Sequence, residues 1–299
     1  MFYTVTVNPA VDYYLDIPDF SVSVINRSVD EKVSFGGKGI NVSKMMTALG
    51  MENTALGFIA GFTGNALRNS LKKDGITSDF IVLKEGLTRI NIKIRSAFET
   101  DINAAGPQIP ESAFRSLLGK MKTITSDDTV VLSGSMLGSL SADAYLSLLE
   151  YIRNKGIRLV VDTEKKALLE SLSFRPYLIK PNLEELCEAV GAMPETRNEI
   201  ADAASVLVSL GARNVLVSLG RDGALLLTEK GEKLFLQAPA ITATDTCGAG
   251  DAMVAGFLYG AGTGPEYALR FAVACGSATA STVGIADRKS VFEILKTMS

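Results

Sequence analysis

The sequence predicts an α/β fold: a mainly parallel sheet covered by helices, carrying a small antiparallel β lid. Three observations carry that reading. From about residue 129 onward, short β-branched and leucine-rich runs alternate with longer segments of helical period. Ile90, Ile92 and Ile94 alternate with Arg89, Asn91, Lys93 and Arg95, giving an amphipathic strand with one apolar and one cationic face. The 299 residues, 47% hydrophobic and 21% charged, are those of a globular chain with a sizeable core and no low-complexity tract.

Taken in order, the runs at 2–7 and 54–58 belong by pattern to the main sheet. Between and after them lie half-exposed strands at 31–35, 87–98 and near 100–104, so the lid is expected as an insertion in two pieces, about 12–35 and 87–104, within a single 1–299 domain. Strands at 129–133, 157–162, 177–180, 214–218 and 224–228 read as mostly buried. The intervening helices carry apolar stripes at i, i+3, i+4 and i+7: Val42, Met45, Met46 and Leu49; Tyr145, Leu148, Leu149 and Ile152; Ile200, Ala203, Ala204 and Leu207.

Composition narrows the chemistry. There is no histidine, which excludes Ser-His-Asp triads, His-assisted cysteine nucleophiles and His-ligated zinc or haem. A general base must be a carboxylate, lysine, tyrosine or cysteine. Three distant cysteines with no CxxC read as free thiols, and a cytoplasmic protein is expected. A net charge of −3 without a dense basic run gives no reason to expect a nucleic acid, and no 18-residue apolar run points to a membrane.

The segment 244–257, TDTCGAGDAMVAGF, runs two glycines into an apolar helix whose Met253, Val254, Phe257, Leu258 and Ala261 mark the buried side. Helix-start amides beside Gly248 and Gly250 make an anion hole, and Asp251 at its mouth can take a proton from an alcohol. Alternatively, Asp251 only N-caps the helix. A second glycine turn, FGGKGIN at 35–41, also precedes a helix and adds Lys38 and Asn41; a tight turn with a solvated lysine is the plain alternative. Asp12 falls just beyond the first strand's carboxyl end, where α/β sheets bind ligands, and equally suits a turn.

Arg89, Lys93, Arg95 and Arg27 are candidate phosphate clamps, or solvated surface cations. In KPNLEE at 180–185, Asn182 and Glu185 can order a hydrated magnesium or form a capping box. SLGRDG at 218–223 links two strands through glycine and admits close approach of a ligand at Gly220.

Read together, GGKGIN, KPNxxE, SLGxDG and GAGD resemble, in order and approximate spacing, the ribokinase-like carbohydrate kinases of the PfkB family over essentially the whole chain. The resemblance implies a three-layer α/β/α fold with ATP as co-substrate and magnesium as cofactor. It further implies Asp251 as catalytic base, with Gly248, Ala249 and Gly250 forming the anion hole. Asn182, Ser218, Gly220, Gly223 and Thr246 are expected around the nucleotide, and Glu185 with Asn182 around magnesium through water. Asp12, Gly37 and Asn41 are expected on the sugar.

The opening TVTVNPAVD, the GGKGIN loop and TRINIK at 88–93 are most similar to the branch that phosphorylates sugar monophosphates. That implies transfer to the 6-hydroxyl of fructose 1-phosphate, with tagatose 6-phosphate as the alternative acceptor. Lys38, Arg89 and Arg27 then meet the substrate's negative charge. Asn103 and Ser135 join the substrate set, although 133–138 reads SGSMLG where the family often has SGSLPPG. The exposed lid suits a homodimer. Two competing functions are a non-catalytic sugar-phosphate sensor and a kinase for neutral sugars or nucleosides.

Overall fold

The computed structural model describes residues 1–136, 140–163 and 165–298. The first half runs β1 (Phe2–Thr6), β2 (Ala10–Asp16), β3 (Asp30–Gly36), α1 (Lys38–Leu49), β4 (Asn53–Ala60), α2 (Gly61–Lys73), β5 (Thr77–Ser78), β6 (Ile81–Leu83), β7 (Arg89–Arg95), β8 (Thr100–Asn103), α3 (Glu111–Lys120) and β9 (Thr129–Ser133). The second half runs α4 (Ala142–Asn154), β10 (Arg158–Asp162), α5 (Lys165–Leu172), β11 (Leu178–Ile179), α6 (Leu183–Val190), α7 (Arg197–Ser209), β12 (Val215–Ser218), β13 (Ala224–Leu227), β14 (Lys233–Leu236), α8 (Ala249–Gly260), α9 (Pro265–Ala280) and α10 (Arg288–Thr297).

The main sheet has the order β14-β13-β12-β11-β10-β9-β1-β4-β5, with β6 also on β4. It is parallel from β12 through β5 and ends in an antiparallel β12-β13-β14 hairpin edge. Both faces are buried, and alternate residues of one strand feed different cores. Val130, Leu132, Leu159 and Val161 pack with Tyr145, Leu148 and Leu207, while Val131, Val160, Leu178 and Leu216 pack with Val42, Val254 and Ala272. The result is helix, sheet, helix: the three layers the sequence implied.

The smaller sheet has the order β3-β2-β7-β8. Its outer pairings, β2 with β3 and β7 with β8, are antiparallel as expected, but the central β2-β7 pairing is parallel. The cause is topological. β1 and β6 both run parallel to β4, so β2 and β7, which follow them, rise in the same direction from the same edge of the main sheet. β2 is not legible as a strand because AVDYYLD mixes carboxylates into its alternation, and β14 because it is a half-exposed edge strand directly after the charged EKGE turn.

Helix α8 is buried on nearly every side. α9 comes so close that a Cβ at Gly256 would lie 2.4 Å from the Phe271 carbonyl oxygen, and one at Gly276 would lie 2.7 Å from Met253 Cγ. This glycine-permitted contact fixes the start of α8 over the carboxyl ends of the parallel strands.

Candidate active site

Gly248 caps α8 with φ +80°, and a side chain there would strike Ile285 Cδ1 at 2.7 Å and crowd the Asn41 amide at 3.3 Å. The Ala249 N–H closes a turn onto the Thr246 carbonyl at 3.2 Å, and the helical ladder begins with Ala252 N–H to Gly248 C=O at 2.9 Å. The Gly250 and Asp251 amides therefore precede the ladder, at the positive end of the helix dipole. Asp251 sits three residues after the cap, so the capping alternative does not hold: its carboxylate is free of that duty and accepts a hydrogen bond from Asn41 Nδ2 at 2.9 Å.

Around Asp251 the strand ends deliver charge. Asp162 ends β10 fully inside the protein. The Lys180 ammonium, itself only 5% exposed, lies 3.3 Å from Asp162 Oδ1. Lys38, at the start of α1, is 3.7 Å from the same oxygen and 3.5 Å from Glu185 Oε1. Burial pushes the Asp162 carboxyl upward, but the Lys180 and Lys38 ammoniums outweigh it and hold the group below the usual carboxylate range. Asp251 goes the other way: burial first, and then the Asp162 charge, push it up to about 7 against the Asn41, Lys180 and Lys38 contributions. Two neighbouring acids are thereby separated into a permanent anion and a base poised near neutrality.

Two cavities meet here. One, of about 420 Å³, is lined by Asp12, Gly37, Lys38, Asn41, Arg89, Asn91, Lys93 and Asp251. The other, of about 660 Å³, has apolar walls from Ala238, Pro239, Ile241, Met253 and Val273, and is bordered by Gly220, Gly223, Thr246 and Ala249. Asn182, Ser218 and Gly250 line both, so a ligand in one cavity faces a ligand in the other across these three residues. The first is cationic and open to polar groups; the second suits a flat, partly apolar molecule with an anionic tail directed at Gly250.

Most of the sequence-predicted residues are brought together. Asp12 lies past the end of β1, within the following strand β2 and not in a turn, and accepts a hydrogen bond from Asn91 Nδ2 at 2.8 Å. Lys93 lines the cleft and pairs with Asp101, so the cationic face of β7 looks into the cavity as far as Lys93; Arg95 beyond it is exposed and covers the Tyr14 ring at 4.8 Å. Arg27, Asn103 and Ser135 are exposed and line neither cavity. Arg27 sits in the β2-β3 connection, and Asn103 lies across from Asn91 on the sheet edge. Of the 133–138 segment, Leu137 and Gly138 lie outside the described residues.

The capping box expected as the alternative for Asn182 and Glu185 is present: Asn182 Oδ1 accepts from Glu185 N–H at 2.7 Å and Glu185 Oε2 accepts from Asn182 N–H at 2.8 Å. It uses one lone pair of Asn182 Oδ1; the second can still accept from a water, and the side-chain amide is left as a donor suited to a phosphate oxygen. Glu185 Oε1 remains directed at Lys38. No cluster of three or more His, Cys, Asp or Glu is gathered among the described residues. The sequence reading missed Asp162, Lys180 and Asn91. Asp162 had one available signal, a lone carboxylate ending an apolar strand; Lys180 stood in the KPNLEE motif without a role.

Residues 5–290 match the model of the pfkB family carbohydrate kinases. The chain is similar to a 1-phosphofructokinase of Borreliella burgdorferi, 39% identical over 298 residues, spanning 99% of this chain and 96% of that one. It is also similar to a D-tagatose-1-phosphate kinase of Bacillus licheniformis, 40% identical over 291 residues and covering 96% and 95% of the two chains. Among solved structures it resembles phosphofructokinase-2 of Escherichia coli in complex with fructose-6-phosphate, with a TM-score of 0.91, 28% identity, and 99% and 98% coverage. The motifs at 36–41, 180–185, 218–223 and 248–251 thus belong to one kinase architecture, and the chain is a member of the pfkB family of carbohydrate kinases.

Proposed function

We propose that this kinase transfers the γ-phosphoryl of ATP to the 6-hydroxyl of fructose 1-phosphate, giving fructose 1,6-bisphosphate and ADP. The observation that carries this reading is a carboxylate near neutral pKa at the wall of a cavity that also presents Lys38, Arg89 and Lys93. A sugar monophosphate places its roughly two negative charges among these cations, of which Lys38 also meets Asp162 and Glu185 and Lys93 meets Asp101; a neutral sugar makes no such use of them. Asp251 accepts the proton of the hydroxyl as its oxygen bonds to the γ-phosphorus and the bond to the β,γ-bridging oxygen breaks. The Gly250 and Asp251 amides, with the Lys38 and Lys180 ammoniums, offset charge on the transferring group.

Magnesium fits the donors present: both Asp162 oxygens are buried, Oδ1 is turned to the Lys180 and Lys38 ammoniums, and Glu185 Oε1 faces the same space. They would hold the ion through its waters, and it would supply neutralisation of the β- and γ-phosphates. Closure of the small sheet would exclude water, a competing acceptor.

Fructose 1-phosphate and tagatose 1-phosphate differ only in configuration at C4. The Bacillus licheniformis relative therefore supports a ketohexose 1-phosphate class with tagatose as the second reading, alongside tagatose 6-phosphate. The retained Asp251, Asn182 and Glu185 argue against a non-catalytic sensor. Coupled ADP-release assays with fructose 1-phosphate, both tagatose phosphates, fructose 6-phosphate and free fructose test the reading. The highest kcat/KM is expected for fructose 1-phosphate; a superior neutral sugar, or a thermal shift with no ADP, overturns it.

No described helix is long and apolar enough to cross a membrane, and we place the reaction in the cytoplasm. The small sheet with its β2-β3 and β7-β8 connections exposes Val24, Ile25, Val29, Val33 and Phe98, to which a second copy of the chain is the partner we assign.

A further inference from the structure

At the opposite end of the parallel sheet lies a third cavity, of about 250 Å³. Four guanidinium groups line it: Arg153 from the last turn of α4, Arg158 at the start of β10, Arg175 after α5, and Arg213 just before β12. Tyr177, also on its wall, is covered by Arg158 at 4.9 Å and by Arg213 at 5.4 Å from the ring centre. Among the described residues Arg213 alone of the four pairs with a carboxylate, donating from Nε to Glu229 Oε2 at 2.7 Å and from Nη2 to Oε1 at 2.9 Å. One acidic side chain therefore answers four basic ones, leaving three positive charges around a small concave space.

We infer that this cavity binds a small, multiply charged anion, a phosphorylated compound or a polycarboxylate, at a site separate from the catalytic cleft. The usual reason for basic residues at this end of an α/β sheet is the negative pole of the preceding helices. That accounts for Arg153 but not for Arg158 and Arg213, which lie at strand starts and are oriented by an aromatic ring. Arg175 supplies an independent observation. It takes φ +53°, a left-handed conformation that glycine adopts without strain, and its N–H closes the end of α5 onto the Leu172 carbonyl at 2.9 Å. A long cationic side chain is thus kept where the backbone favours none, and it lines the cavity. Guanidinium forks bind phosphate and carboxylate oxygens two at a time, and pre-oriented ones lose less freedom on doing so.

Isothermal titration of magnesium-free protein with inorganic pyrophosphate and, separately, citrate tests the site. Wild type, Arg158→Gln and Arg175→Gly are compared, with Lys38→Ala as the variant that alters the catalytic cleft. The expected result includes a class of binding, beside any in the catalytic cleft, that survives Lys38→Ala and weakens at least tenfold in Arg158→Gln and Arg175→Gly. A tighter pyrophosphate arm identifies a phosphorylated ligand, and a tighter citrate arm a polycarboxylate. Arg175→Gly relieves the backbone, so its melting temperature without anion is expected to be no lower than that of wild type, which keeps the test open if Arg158→Gln folds poorly. Isotherms of the arginine variants that superpose on wild type, or anion binding abolished by Lys38→Ala alone, overturn the inference.

Discussion

Replacing Asp162 by Asn should move the pH profile of the enzyme, because Asp162 acts on catalysis through the protonation of Asp251. The Asp251 carboxyl is raised from 3.8 to about 7, burial being the larger cause and the Asp162 charge the next. Asp162→Asn leaves burial in place, removes the like charge, and redirects the Lys180 and Lys38 ammoniums, 3.3 Å and 3.7 Å from Asp162 Oδ1, toward the remaining carboxylate. Recovering about one unit of the shift corresponds to about 1.4 kcal/mol. A general base works when ionised, so wild-type kcat/KM is expected to fall with acidification below about pH 7, by about tenfold per unit. The Asn variant should show the same limb displaced to lower pH by about one unit or more. The substrate phosphate titrates near pH 6 in both enzymes, and saturating magnesium in both assays holds constant the ion that Asp162 would help to bind, so the difference between the two profiles reports on Asp251. Lower activity at all pH values is expected from the loss of a carboxylate assigned to magnesium; only the position of the limb bears on the coupling. A limb that stays in place, or moves to higher pH, in a variant that melts cooperatively would refute the reasoning.

Other consequences are equally open to measurement. Arg89→Ala should raise KM for the sugar phosphate by about 10- to 100-fold, the scale of a charge-assisted hydrogen bond of about 1.5–3 kcal/mol, with a smaller change in kcat; a neutral acceptor should be little affected. Gly248→Ala places a side chain at φ +80° and against Ile285 and Asn41. It should cost about 1–2 kcal/mol by thermal or urea unfolding and disturb the Asn41–Asp251 hydrogen bond, so activity should fall more than stability.

Much of the fold was legible because its strands are buried on both faces. Their centres, 130–132 and 159–161, are uninterrupted apolar runs, and the helices between them repeat at 3.6 residues. The parallel pairing of β2 with β7 was not legible, since strand direction is set by which strand each follows, and no local pattern records that. The same division holds in the site. The glycine turns announced themselves by composition, and the resemblance ordered them. The partnership of Asp251 with Asp162 and of both with Lys180 is created by three strand and helix ends meeting in space. Asn182 illustrates the opposite case: both readings of KPNLEE were written in the sequence, and the geometry shows the capping box formed, with its carbonyl capping α6. Arg27, Asn103 and Ser135 fall outside the cavity linings because a sequence gives a side chain's chemistry but not where a connection or an edge strand carries it.

The most direct test is Asp251→Asn, assayed for binding and turnover on the same preparation. Because Asn has nearly the same shape as Asp, calorimetric affinities for fructose 1-phosphate and for a non-hydrolysable ATP analogue should stay near wild type, while kcat falls by about 100-fold or more. Turnover near the wild-type rate in that variant would contradict the assignment of the base on which the account rests.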